Sequence, residues 1–262
     1  MSRHSRSLLA LLLLTIALTG FACGGSQPPA NQPAAEPAAQ PAAPQKPVTE
    51  LTKEMHANLG KITEIERAVI RGDLEAAVEP AKWVVDHQET AGFPANTGSY
   101  VADMKKFAAN VAGAKDATGA ANSTAMMISY CGACHEAAKV KVAFPEVKAP
   151  TWTRGRSAHM QTHQYALDLM YQGLAIPSED QWKKGLEALK TAPLADADLP
   201  KDSALTKEIV ANETKVHDQA EKALKVSDMG TKVAIYGDVL RECATCHGLH
   251  GRVWGPGFTP AK

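Results

Sequence analysis

Two short stretches of the chain hold residue types that could do chemistry. "YCGACHE", Tyr130 to Glu136, puts Cys131 and Cys134 three residues apart with His135 directly after them. "ECATCHG", Glu242 to Gly248, repeats the order with Cys243, Cys246 and His247. On a helix, residues three apart share a face, so each pair aims two thiols to one side, and the next residue brings an imidazole beside them. That order is a c-type haem attachment pattern: two thiols to add across the vinyl groups of a porphyrin edge, and an imidazole to take the iron axially.

Three plainer readings compete. The two pairs could make one zinc site, although compact zinc modules do not separate their pairs as widely as residues 134 and 243. A thiol redox pair would want a strand-helix-strand setting, and none is visible. Disulfides are open to an exported chain. None of these accounts for a histidine after both pairs. We therefore expect two covalently bound haem c groups, with thioethers at Cys131, Cys134, Cys243 and Cys246 and iron ligands at His135 and His247.

The sixth position of each iron needs a donor from elsewhere. Met55 lies on an apolar stripe with Leu51, Leu59 and Ile62, whereas His56 is turned about 100° away. In the second half "AHMQTHQYALDLM" offers His159, Met160 and His163, and the two histidines share a face with Ala166 and Met170. Met55 and His159 are the expected sixth ligands. His163, Met160 and His56 stand behind them, and an open or water-bound iron is the alternative. A methionine on such a stripe is also ordinary core, and an imidazole on an apolar face can be a satisfied core histidine. His87, His217 and His250 read as surface or helix-end residues, and the four tryptophans as core or interface.

The elements that must position these groups read as helices from Val48 onward, at apolar spacings of three and four with no strand-like alternation. The first four are expected at Glu50–Arg71, Asp73–Gln88, Tyr100–Lys115 and Ala120–Val140, with Asp73 capping the second. The next four are expected at Arg156–Tyr171, Ser178–Lys190, Ala204–Val226 and Met229–His247, with Asp202 or Ser203 as a cap. "FPEVKAPTWTRG", Phe144 to Gly155, joins the two sets. The plan is thus all-α: two tandem four-helix bundles, residues 48–150 and 151–262, each with its motif near the end of its fourth helix. The duplication rests on layout, since few residues match between the halves.

A haem motif at the close of a fourth helix, written "CGACHEAAK", resembles the cytochrome c-prime group of four-helix-bundle cytochromes. The resemblance covers Glu50 to about Val142 and, more loosely, Gly155 to the end. It implies that the start of the first helix faces the haem held by the fourth, which points to Met55 and His159. Each half here is shorter than a typical member. The second motif is followed by "GLHGRVWGPGFTP" in place of a basic helix end, and the tandem fusion differs from the usual single-domain homodimer.

Residues 1–22 read as an export signal: Arg3 and Arg6, then an apolar run from Leu8 to Leu18 that is short for a bilayer span. Cys23 follows. It is either the lipidated cysteine of a lipoprotein, against which Gly20 stands where leucine is usual, or a lone thiol after ordinary cleavage. Residues 23–47 are rich in proline and alanine, cannot build a core, and read as an extended tether, which favours lipidation and a membrane anchor at Cys23.

The chain has 262 residues, with 28 basic and 28 acidic side chains. That balance lacks the basic excess of a nucleic-acid partner. With 45 % hydrophobic residues but only 5 % aromatic ones, the core must come from Ala, Leu, Val and Met. The expectation is an exported dihaem electron carrier, not an enzyme, serving redox proteins of the periplasm or cell envelope. The alternative is a gas-binding or peroxide-handling haem protein with at least one five-coordinate iron.

Overall fold

A computed structural model describes residues 48–87, 93–151, 155–191, 194–201 and 203–254. The expected leader, the tether, Cys23 and Asp202 lie outside them. Among the described residues the regular elements are all helical. The first four are α1 (Val48–Ile70), α2 (Leu74–His87), α3 (Gly98–Ala112) and α4 (Ala117–Ala138). The next four are α5 (Gly155–Ala175), α6 (Glu179–Lys190), α7 (Ser203–Ala223) and α8 (Met229–Trp254), with one 3₁₀ turn at Asp196–Asp198.

Side-chain oxygens start several of these helices by taking up a backbone amide that the first turn leaves unpaired. Asp73 accepts from the Ala76 N–H, Asp116 from Gly119, Ser178 from Gln181 and Asp228 from Thr231. Two helices run past their expected ends. α5 continues through Gly173 to Ala175 because the glycine serves packing and not a break: a Cβ there would lie 2.8 Å from the Trp182 backbone nitrogen. α8 continues beyond His247 to Trp254, so the second motif lies within its helix and does not close it as expected. The buried Leu249 ties this extension to the protein.

The helices α1 to α4 follow one another around a ring that α1 and α4 close, and α5 to α8 do the same. The two sets meet through α4 against α8 and α5, and α1 against α8. One apolar core, drawn from all eight helices, runs without a break between them. α4 buries Ala120, Ala121, Thr124, Ala125, Met127, Ile128 and Gly132, residues that spread around the helix, as suits one enclosed by neighbours.

Contacts at the ends set the directions. Gly237 of α8 lies against Asn122 of α4, Gly72 after α1 lies against Ala244, and Lys232 near the start of α8 pairs with Glu179 at the start of α6. α8 therefore runs antiparallel to α4. At about 1.5 Å per residue the two cysteine motifs are roughly 20 Å apart along the shared axis, at opposite ends of the packed helices.

Between them sits a buried acid. Glu66 is 1 % exposed and accepts a hydrogen bond from the Tyr236 hydroxyl, which is itself fully buried. Burial pushes the Glu66 carboxyl from 4.5 up to about 8, with Asp168 adding to the rise and Tyr236 and Arg67 opposing it. Because the folded pKa is raised for an acid, folding takes up a proton in this window. The stability that Glu66 contributes is whole below its ordinary pKa and is lost as pH rises through the window to about 8. The loss is at most about 1.4 kcal/mol per pH unit. Glu66→Gln should therefore unfold in urea with a shallower loss of stability between pH 5 and pH 8 than the parent. Parallel pH profiles would show that Glu66 is not protonated in the folded state.

Candidate functional site

The last turn of α4 carries the first motif. Lys139, at φ 53°, ends the helix in the left-handed conformation, with the Val140 N–H bonded to the His135 carbonyl, and Asn96 donates to the Ala137 carbonyl at 2.7 Å. These bonds hold the turn where the motif lies. Cys131 Sγ faces α3, 3.9 Å from Met104 Sδ, and Cys134 is hydrogen-bonded to the Thr97 side chain.

His135 turns the other way. Its Nδ1 is 2.8 Å from the Ala175 carbonyl at the end of α5. A carbonyl can only accept, so Nδ1 is the donor, and Nε2 is the nitrogen left to bind a metal in the neutral ring. Metal-binding histidines are commonly held by such a bond on the second nitrogen. Gly132 makes this approach possible, since a Cβ at that position would lie 2.2 Å from the Leu174 carbonyl oxygen.

The second motif opens onto a cavity of about 490 Å³. Cys243, Cys246 and His247 line it from α8, and His159, Met160 and His163 line it from α5. Glu213 of α7 and the guanidiniums of Arg67, Arg71 and Arg156 complete the wall. The structure thus brings His159 to the second motif. Met55 is half-buried on α1 and His56 is exposed, in keeping with the stripe. The alternation of helices returns the start of α1 to the end where the first motif lies.

The thiols are neutral and poorly nucleophilic. Burial pushes Cys131 and Cys246 up to about 12, and it also raises Cys134 and Cys243. Redox-active cysteine pairs have lowered values, so the thiol-exchange reading loses support. All four thiols are free, so the disulfide reading is not realised. Among the described residues the four cysteines do not converge as a metal-binding group, which removes the single zinc site built from both pairs. Burial, and then the charge of Arg71, holds His247 below its ordinary pKa of 6.5, leaving a neutral imidazole with a lone pair to donate.

Three residues read as ordinary in the sequence, or not singled out there, belong to this region. His250 lies beside Arg156, His159 and His247, and burial and those neighbours push it down to about 4. Glu213 Oε1 is 3.6 Å from His159 Nε2 and 3.8 Å from His217 Nε2, while accepting from the Leu194 N–H at 2.7 Å. His217 is half-buried, its pKa lowered by that burial, so it is not a surface residue. The available signal was the four-residue spacing of Glu213 and His217, which matches that of His159 and His163. The remaining histidine, His87, is exposed and stacks on Trp83, and Trp182 is a core residue.

The donor sets suit a c-type haem on two counts: paired protonated thiols followed by an imidazole at both motifs, and at the second a cavity faced by further imidazoles. Compared with family models, curated proteins and solved structures, the chain matches none of them. Gly132→Ala should cost about 1–3 kcal/mol in denaturant unfolding, as overpacking against backbone does. Unchanged stability would show that α4 and α5 are not in such close contact.

Proposed function

We propose that the chain is an exported dihaem c-type cytochrome, made of two four-helix bundles resembling cytochrome c-prime, that passes single electrons between redox proteins of the cell envelope. The first bundle comprises α1 to α4 and the second α5 to α8. Cys23 serves as a lipid anchor and residues 24–47 as the tether to the membrane. The observation that carries the reading is the meeting of Cys243, Cys246, His247 and His159 around one cavity of about 490 Å³.

When bound, each haem c supplies a one-electron iron couple. Cys131 and Cys134 fix one group, and Cys243 and Cys246 the other. His135 is oriented by the Ala175 carbonyl, and His247 is kept neutral by its burial. Arg67, Arg71 and Arg156 offer cations to carboxylates at the edge of the group in the second cavity. His159, which lines the same cavity, would be the further iron donor there, and Met55 the further donor in the first bundle. A methionine or histidine in that position closes the iron and suits electron transfer, methionine raising the potential.

A second reading, a small gas or a peroxide at an open iron, is favoured by the room in the second cavity, whose lining includes the polar side chains of Glu213 and His163. Protein purified from a host that matures c-type cytochromes should carry the mass of two haems and give the pyridine haemochrome of two thioether-linked groups. A colourless product would sink both readings. Carbon monoxide added to the reduced protein separates them: an unchanged spectrum supports electron transfer, and a change at one haem supports an open iron. His159→Ala and Met55→Ala should each alter the spin state of one haem, and unaltered spectra would remove these residues as ligands.

A further inference from the structure

The side chains of α5 and α7 that meet inside the second ring form a set of donors of which the haem reading uses only His159. His159, His163 and Glu213 present one ligand atom each, all within 4.8 Å of one another. His217 adjoins them: its Nε2 is 3.8 Å from Glu213 Oε1 and makes no hydrogen bond among the described residues. The rings of His159 and His163 have centroids 4.0 Å apart, and those of His163 and His217 are 6.0 Å apart. The cluster is enclosed, with side-chain exposures of 6 % for His159, 12 % for Glu213 and 19 % for His217.

We propose that His159, His163, Glu213 and His217 bind one first-row transition-metal ion inside the second helical ring. Bonds of about 2.0–2.2 Å place tetrahedral donors about 3.4 Å from one another. The 3.6 and 3.8 Å contacts are already close to that spacing, the ligand atoms of His159, His163 and Glu213 lie within 4.8 Å of one another, and His217 would have to move inward to join them. Three imidazoles and one carboxylate select zinc, copper, nickel or iron over calcium or magnesium, which take all-oxygen sites. Two donors four residues apart share one face of a helix, as the paired histidines of helical zinc sites do. The Leu194 N–H, bonded to Glu213 Oε1, fixes the carboxylate as an outer partner does in metal sites.

The site stands without haem, but it bears on the proposed function through His159. On that reading, His159 held by this ion would not be available to an iron at the second motif. Metal occupancy would therefore select between the electron-carrying and the gas-binding forms of the second bundle.

The test uses Zn²⁺, which is redox-silent, and the full chain purified from a haem-maturing host and stripped with chelator. Equilibrium dialysis with elemental analysis should find one zinc per chain. Glu213→Gln and His217→Ala, checked for native helix content by circular dichroism, should each weaken binding by about 100-fold or more, at or beyond the upper end of an outer-partner loss. His87→Ala, an exposed histidine elsewhere, should bind zinc like the parent. No zinc on the parent, or zinc retained equally by folded Glu213→Gln and His217→Ala, would overturn the site. Haem content is measured separately on the same samples, so a chain that binds zinc but carries no haem would refute the cytochrome reading and leave this one standing.

Discussion

One helix, α5, touches both cysteine motifs, and the arrangement of the sites follows from that. Its first half faces the second motif with His159, Met160 and His163. Its last residue, Ala175, offers the carbonyl that orients His135 of the first. A helix is stiff along its axis, so the two contacts are linked by a near-constant length. The approach at the α4 end depends on the absence of a side chain at Gly132, and the crossing of α6 over α5 on its absence at Gly173. Had either position carried a methyl group, α5 would have to move, and the geometry at both ends with it.

Burial then sets the chemical state of the groups so placed. Desolvation disfavours charged forms, which keeps the thiols protonated, holds His247 and His250 below their ordinary values and pushes Glu66 up to about 8. Neutral thiols and lone-pair imidazoles are the forms needed to hold a porphyrin and its iron. The same burial makes the centres unsuitable for thiolate chemistry. The guanidiniums at the second cavity lower the histidine values further, as Arg71 does for His247 and Arg156 for His250.

The two motifs are unequal in spite of their shared order. The first is packed against Met104 of α3 and Thr97 just before it, whereas the second faces a cavity that His159, His163, Glu213 and Glu242 also line. Two copies of one sequence pattern thus sit in different dielectric and steric surroundings, which on the proposed haem reading would give the two irons different potentials or ligand access. Their separation at opposite ends of α4 and α8 leaves Glu66 and Tyr236, a fully buried polar pair, among the groups that lie between them.

The sequence by itself determined the local features. The Cys-x-x-Cys-His order, the apolar spacing of eight helices, the cap at Asp73 and the stripe that carries Met55 are all set by residues within a turn or two of each other. Those forces act at short range and need no partner. What only the tertiary structure decided is long-range: that His159 and His163 face Cys246 and His247, and that Glu213 and His217 join them. The same holds for the antiparallel run of α8 against α4, the bond from His135 to a helix of the other half, and the reach of α8 beyond its motif. No spacing encodes which helix faces which. That choice is made by packing, where the absence of one methyl group at Gly132 or Gly173 decides how closely two backbones can approach.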